Sequence, residues 1–135
     1  MRFSRFCFFA VAVLFYSGNG FSQDYSYSDG SANTYKIAPG TLEYIPVKKE
    51  NSSSGTYSGG TAKTVKLSDA DYRSISALFE EGIAGKASQT DRRVMMSGVI
   101  NRNIKNDKAK VILKPGARVK DQIEAKLLEF VKRSE

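Results

Sequence analysis

Eleven uncharged, mostly apolar residues at positions 6–16 (FCFFAVAVLFY) limit what this chain can fold into more than any other feature. Arg2 and Arg5 precede them and Ser17-Gly18-Asn19-Gly20 follows. A positive start, a short apolar stretch and a helix-breaking exit into small residues are the three parts of an export signal. As a helix the run spans about 16 Å, roughly half of a bilayer core, too little for a transmembrane anchor. Gly20 and Ser22 are small residues on either side of Phe21 and suit cleavage after Ser22. The sequence therefore predicts a signal peptide over residues 1–22 and a secreted or periplasmic mature protein with no integral membrane segment.

Cleavage there leaves 113 residues, enough for one domain. A chain of this size buries roughly 65% of the surface it exposes when unfolded. Cys7 is the only cysteine and lies in the apolar run, so the mature chain has no disulfide and must rely on its core. With Arg2 and Arg5 set aside from the +7 of the whole chain, 19 basic residues face 14 acidic ones, a net charge of +5. That excess favours acidic partners through steering without naming one.

Residues 23–40 open with QDYSYSDGSANT, rich in serine, aspartate and glycine, and read as a flexible leader. Asp24 and Asp29-Gly30 lack the further oxygen ligands and closing glutamate of a calcium loop. Residues 42–48 (LEYIPVK) predict a first strand, with Pro46 marking an edge or bulge. Residues 63–67 (KTVKL) predict a second, across the serine- and glycine-rich loop 50–61. Ser68 is a helix N-cap, followed by Asp69 and Asp71 and then Tyr72, Ile75, Leu78, Phe79 and Ile83 at helical spacing. After a polar connection, residues 94–104 and 109–113 predict a second hairpin, with Gly98 a bulge or close-packing point. Residues 118–132 predict a final helix. The sum is one α+β domain over residues 41–135: a four-stranded antiparallel sheet with two helices packed on one face, in the order β-β-α-β-β-α.

Catalysis needs groups that titrate or attack, held within hydrogen-bond reach. The chain has no histidine and its mature part no thiol, which excludes Cys-His and Ser-His-Asp arrangements and most zinc sites. Glu80 and Glu81 are adjacent on a helix and point about 100° apart, so they read as a solvated surface. Ser52, Ser53, Ser54 and Ser58 have only Lys48 and Lys49 nearby as candidate bases. Ser58-Gly59-Gly60 leads into a strand, whereas a phosphate loop delivers its glycines into a helix. Arg92, Arg93, Arg102, Lys105, Lys108, Lys110 and Lys114 cluster without an aromatic among residues 92–114, which points away from nucleic acid and toward a solvated face. The reading is not an enzyme, and neither metal nor organic cofactor is expected.

Ser58-Gly59-Gly60, the alternating strand 63–67 and the helix bearing Leu78-Phe79, followed by a hairpin and a final helix, resemble emfourin-like protein inhibitors of bacterial metalloproteases. The resemblance covers about residues 42–131, mostly as order of elements. It implies a protein partner, in its specific form a secreted protease, met by loop 50–61 through Tyr57, Ser58, Gly59 and Gly60. Tyr57 would anchor the contact, since aromatic residues carry much of the energy at interfaces. The alternative is an envelope-associated structural or accessory protein held through the open sheet face or the basic hairpin.

Overall fold

A computed structural model of the chain describes residues 24–52, 54–56 and 58–133. The signal peptide expected over residues 1–22 lies outside them. So does Tyr57.

Ser68 starts the first helix, α1 (Asp69–Ala84), with a full capping box: its hydroxyl accepts the Asp71 N–H at 3.1 Å while the Asp71 carboxylate accepts the Ser68 N–H. Such a cap is worth about 1 kcal/mol. At the other end the Gln89 side-chain amide donates to the carbonyls of Gly82 and Ile83, both at 2.8 Å, satisfying groups the helix leaves unpaired. The second helix, α2 (Arg118–Arg133), buries Val119, Ile123, Leu127, Phe130 and Val131 along one side, as the sequence predicts.

The sheet differs from expectation. It has seven strands among the described residues, not four: β1 (Tyr25–Ser28), β2 (Thr34–Ala38), β3 (Thr41–Ile45), β4 (Lys63–Lys66), β5 (Gln89–Thr90), β6 (Gly98–Ile104) and β7 (Asp107–Leu113). Their order across the sheet is β4-β3-β2-β1-β6-β7-β5, with every neighbouring pair antiparallel. The largest correction concerns residues 23–40, which the sequence reading makes a flexible leader. Residues 25–28 and 34–38 are instead central strands, and β1 joins the two halves of the sheet. Their physical basis is period-2 alternation: Tyr25, Tyr27, Tyr35 and Ile37 turn inward and are buried, while Ser26, Ser28, Thr34 and Lys36 between them are only partly so.

Two other expected strands are shorter. β3 stops at Ile45, before Pro46, which has no N–H for the ladder. β6 starts at Gly98, because Val94–Ser97 is a tight turn in which Ser97 donates to the Val94 carbonyl from both its N–H (3.1 Å) and its hydroxyl (2.7 Å).

Both helices cover the same sheet face. Tyr25 stacks on Phe79 of α1 with ring centroids 5.0 Å apart, and Tyr27, two residues on, reaches Glu124 of α2. One core cluster joins these rings to Leu42, Val65, Ile75, Ile100, Leu113, Ile123 and Leu127. The opposite face carries the row Thr64, Glu43, Lys36, Ser26, Asn101 and Lys110, polar throughout. Among the described residues no helix is long and apolar enough to cross a membrane.

Candidate functional site

The loop between β3 and β4 is built on a chain of polar contacts that starts in the β1–β2 turn. The Asp29 carboxylate accepts the N–H groups of Ser31 (2.9 Å) and Asn33 (3.0 Å) and the Asn33 side-chain amide (3.0 Å). Turn-making, not cation binding, thus occupies the aspartate. Asn33, 4% exposed, uses its Oδ1 to accept the Val47 N–H at 3.0 Å. Val47 in turn offers its carbonyl to the Gly59 N–H at 3.1 Å, and the Tyr44 hydroxyl donates to the Gly59 carbonyl.

Gly59 is therefore an anchor and only partly exposed. A Cβ there would stand 2.0 Å from Asn33 Oδ1 and 2.8 Å from Pro46 Cβ, so no side chain fits without movement. Gly60 has φ +97, a conformation that glycine alone adopts cheaply, and its surroundings are open. Ser58 is exposed, and its hydroxyl accepts the Gly60 N–H at 3.3 Å. Of the four residues singled out from sequence, Ser58 and Gly60 lie outward and Gly59 lies inward; Tyr57 is not among the described residues. Upstream, Lys49–Asn51 forms one 3-10 turn, closed by the Ser52 hydroxyl donating to the Lys49 carbonyl at 2.8 Å. Ser54, Gly55 and Thr56 are exposed beyond it.

The basic hairpin is less open than its composition indicates. Arg102 sits beneath α1, with Nη1 2.5 Å from Glu80 Oε2 and Nη2 3.3 Å from Asp107 Oδ2. Glu80 also accepts the Tyr25 hydroxyl at 2.7 Å. Burial pushes the Glu80 carboxyl up, but the Arg102 guanidinium and the Tyr25 hydroxyl outweigh it and hold the group below its ordinary range. Glu80 is thus a partly buried ligand of the core, unlike exposed Glu81. A second internal trio joins Tyr27, Glu124 and Lys120. The Tyr27 hydroxyl donates to Glu124 at 2.7 Å, and the buried Lys120 ammonium lies 3.0 Å from the same carboxylate. Both clusters tie a helix to the sheet, and among their polar atoms the Arg102 Nε is buried without a hydrogen-bond partner.

One exposed feature lies outside the sequence reading. Val94, Met95 and Met96 are 47%, 87% and 53% exposed at the tip of the β5–β6 crossover, behind exposed Arg92 and Arg93. Read as strand, their apolar character pointed to the core. The only sequence signal for the turn is Ser97-Gly98, a breaker pair after the run.

Comparison with known protein families, with curated proteins and with solved structures finds no match to this chain.

Proposed function

We propose that the chain is an exported, non-catalytic protein-binding domain that meets its partner through loop 50–61, and in its specific form an inhibitor of a secreted protease. The observation that carries this reading is the anchoring of Gly59 between Val47, Tyr44 and Asn33. A loop whose base is fixed loses less entropy on binding than a free one, and that favours presenting its exposed residues to a cleft. Ser54, Thr56, Ser58 and Gly60 are among the described residues on the outside; Tyr57, between two of them in sequence, completes the proposed contact. A cut after Ser22 would leave the engagement of Asp24 in the sheet intact. Its N–H donates to the Ile37 carbonyl, and its own carbonyl accepts the Asn103 N–H, both at 2.8 Å.

The test is inhibition of purified metallo- and serine proteases by the mature protein. Slowing of at least one, weakened by Tyr57→Ala, is expected; no slowing across both panels would reject the inhibitor reading. The second reading, an envelope-associated accessory protein, draws on the polar open face with Lys36 and the exposed Lys108 and Lys110. It expects salt-sensitive co-fractionation with the envelope, and a protein found only as a free monomer in the medium would reject it.

A further inference from the structure

β4 is the outermost strand on its side of the sheet, and its outer edge is unused. The Leu67 N–H donates to the Gly40 carbonyl at 2.9 Å, which fixes the phase of the ladder: Val65 and Lys63 turn their main-chain groups toward β3. Thr64 and Lys66 therefore turn theirs outward. Both are exposed, and no other main-chain or side-chain group among the described residues bonds to that side. An unpaired, solvent-facing pair of this kind is a template for another strand.

The space beside the edge is already shaped. A groove runs between β4 and α2 in two stretches of about 420 and 250 Å³. Leu128 (48% exposed) is the exposed part of its apolar wall, with Val131 and Phe130 buried behind it, and Lys63 and Lys132 stand along it. Among the described residues no carboxylate lines either stretch. On the other face of the strand Lys66 takes no ion pair among the described residues, and neither does Lys132. Arg133 at the far end is paired with Asp71 and Glu129 and adds little net charge.

We infer that the β4 edge and the β4–α2 groove together bind an extended acidic segment of a partner protein, which adds an eighth strand to the sheet. Main-chain bonds to Thr64 and Lys66 supply the pairing. Apolar side chains of alternate residues fill the groove, and carboxylates meet Lys66 and Lys132. Self-association through the same edge is disfavoured, because a second copy brings another lysine-bearing edge against this one. Gly59 and Gly60 border the larger stretch, but the pairing edge and its charges, Thr64, Lys66 and Lys132, lie outside loop 50–61.

The experiment is residue-resolved amide exchange of the purified protein with a capped hexapeptide of alternating glutamate and valine, and with its lysine–valine counterpart. Several-fold slower exchange at Thr64 and Lys66 with the acidic peptide alone is expected. Thr64→Pro removes only an outward donor and should abolish the protection at Lys66. A Lys66→Glu, Lys132→Glu double variant should transfer the preference to the lysine peptide, and it serves if the proline variant fails to fold. Equal protection by both peptides, protection by neither, or protection that rises with protein concentration alone would overturn the proposal, the last in favour of edge-to-edge dimers. Protease inhibition is read in a separate assay, so either reading can fail without the other.

Discussion

The α-carbon of Gly59 rests against the side-chain amide of Asn33, so close that a Cβ would lie 2.0 Å from its Oδ1. Two turns distant in sequence are thereby locked into one unit. Gly59→Ala should cost about 1–3 kcal/mol through overpacking. Asn33→Ala should cost a similar amount because it strands the partly buried Val47 N–H. The two share one contact, so the double variant should lose less than the sum. Thermal unfolding of the four proteins measures that difference, and strict additivity would show that the loop is not held this way.

Gly98 stands in the same relation to Tyr27. A Cβ at Gly98 would come 2.3 Å from the Tyr27 hydroxyl oxygen and 2.9 Å from Cζ, and Tyr27 is fully buried. Gly98→Ala is expected to destabilise by about 2–3 kcal/mol. Tyr27→Phe in the same chain should recover only part of the loss, since the ring carbon stays too close. Denaturant midpoints report both effects.

Alkali should unfold this protein through its tyrosines. Burial, and then the hydrogen bond to Asp24, push the Tyr72 hydroxyl up to about 12. Burial and the carboxylates of Glu80 and Glu124 raise Tyr25 and Tyr27 further. A folded-state pKa above the unfolded value means that the fold holds the proton more tightly. This stabilisation is complete below pH 10 and is lost as pH rises from 10 through about 12. Tyr72→Phe should be less stable than the parent near neutrality, and the gap should narrow above pH 10. Melting temperature against pH, alongside tyrosinate absorbance, checks the sign.

The β5–β6 tip predicts opposite outcomes at neighbouring positions. Met96 has φ +67, a left-handed backbone that costs a residue with a Cβ about 1 kcal/mol. Met96→Gly should therefore hold or raise stability by up to about 1 kcal/mol. Met95, 87% exposed, should tolerate serine within about 0.5 kcal/mol. A large loss at Met95 would show that the side chain is covered in solution.

Helices α1 and α2 were legible because their apolar stripes recur at helical spacing, and α1 carries its own Ser68 cap. The signals for β1 and β2 were also present, as Tyr-Ser-Tyr-Ser and Thr-Tyr-Lys-Ile, but serine and aspartate made them look like solvated chain. What reverses that impression is non-local. Tyr25, Tyr27 and Tyr44 bury their rings because Glu80, Glu124 and the Gly59 carbonyl, from other elements, accept their hydroxyls. No reading of the strand alone contains those acceptors. Residues 94–97 erred in the opposite sense, since apolar residues also occupy exposed turns. At the candidate site, Ser58-Gly59-Gly60 could be picked out by composition. Gly59's inward role depends on Asn33, which comes from a segment read as leader.

β1 precedes every other described strand in the chain and is the middle piece of the finished sheet. Tyr27 can pair with Tyr35 as soon as the turn between them exists, but its other neighbour, Ile100, arrives only after α1 and the β5–β6 crossover. The central seam of this domain thus cannot close until β6 has arrived. On the proposed export route, a chain threading out of the cell stays open along that seam until β6 follows, which keeps it slack enough to thread. Trimming a few residues past the predicted cut would then part the sheet down its middle instead of shortening an edge.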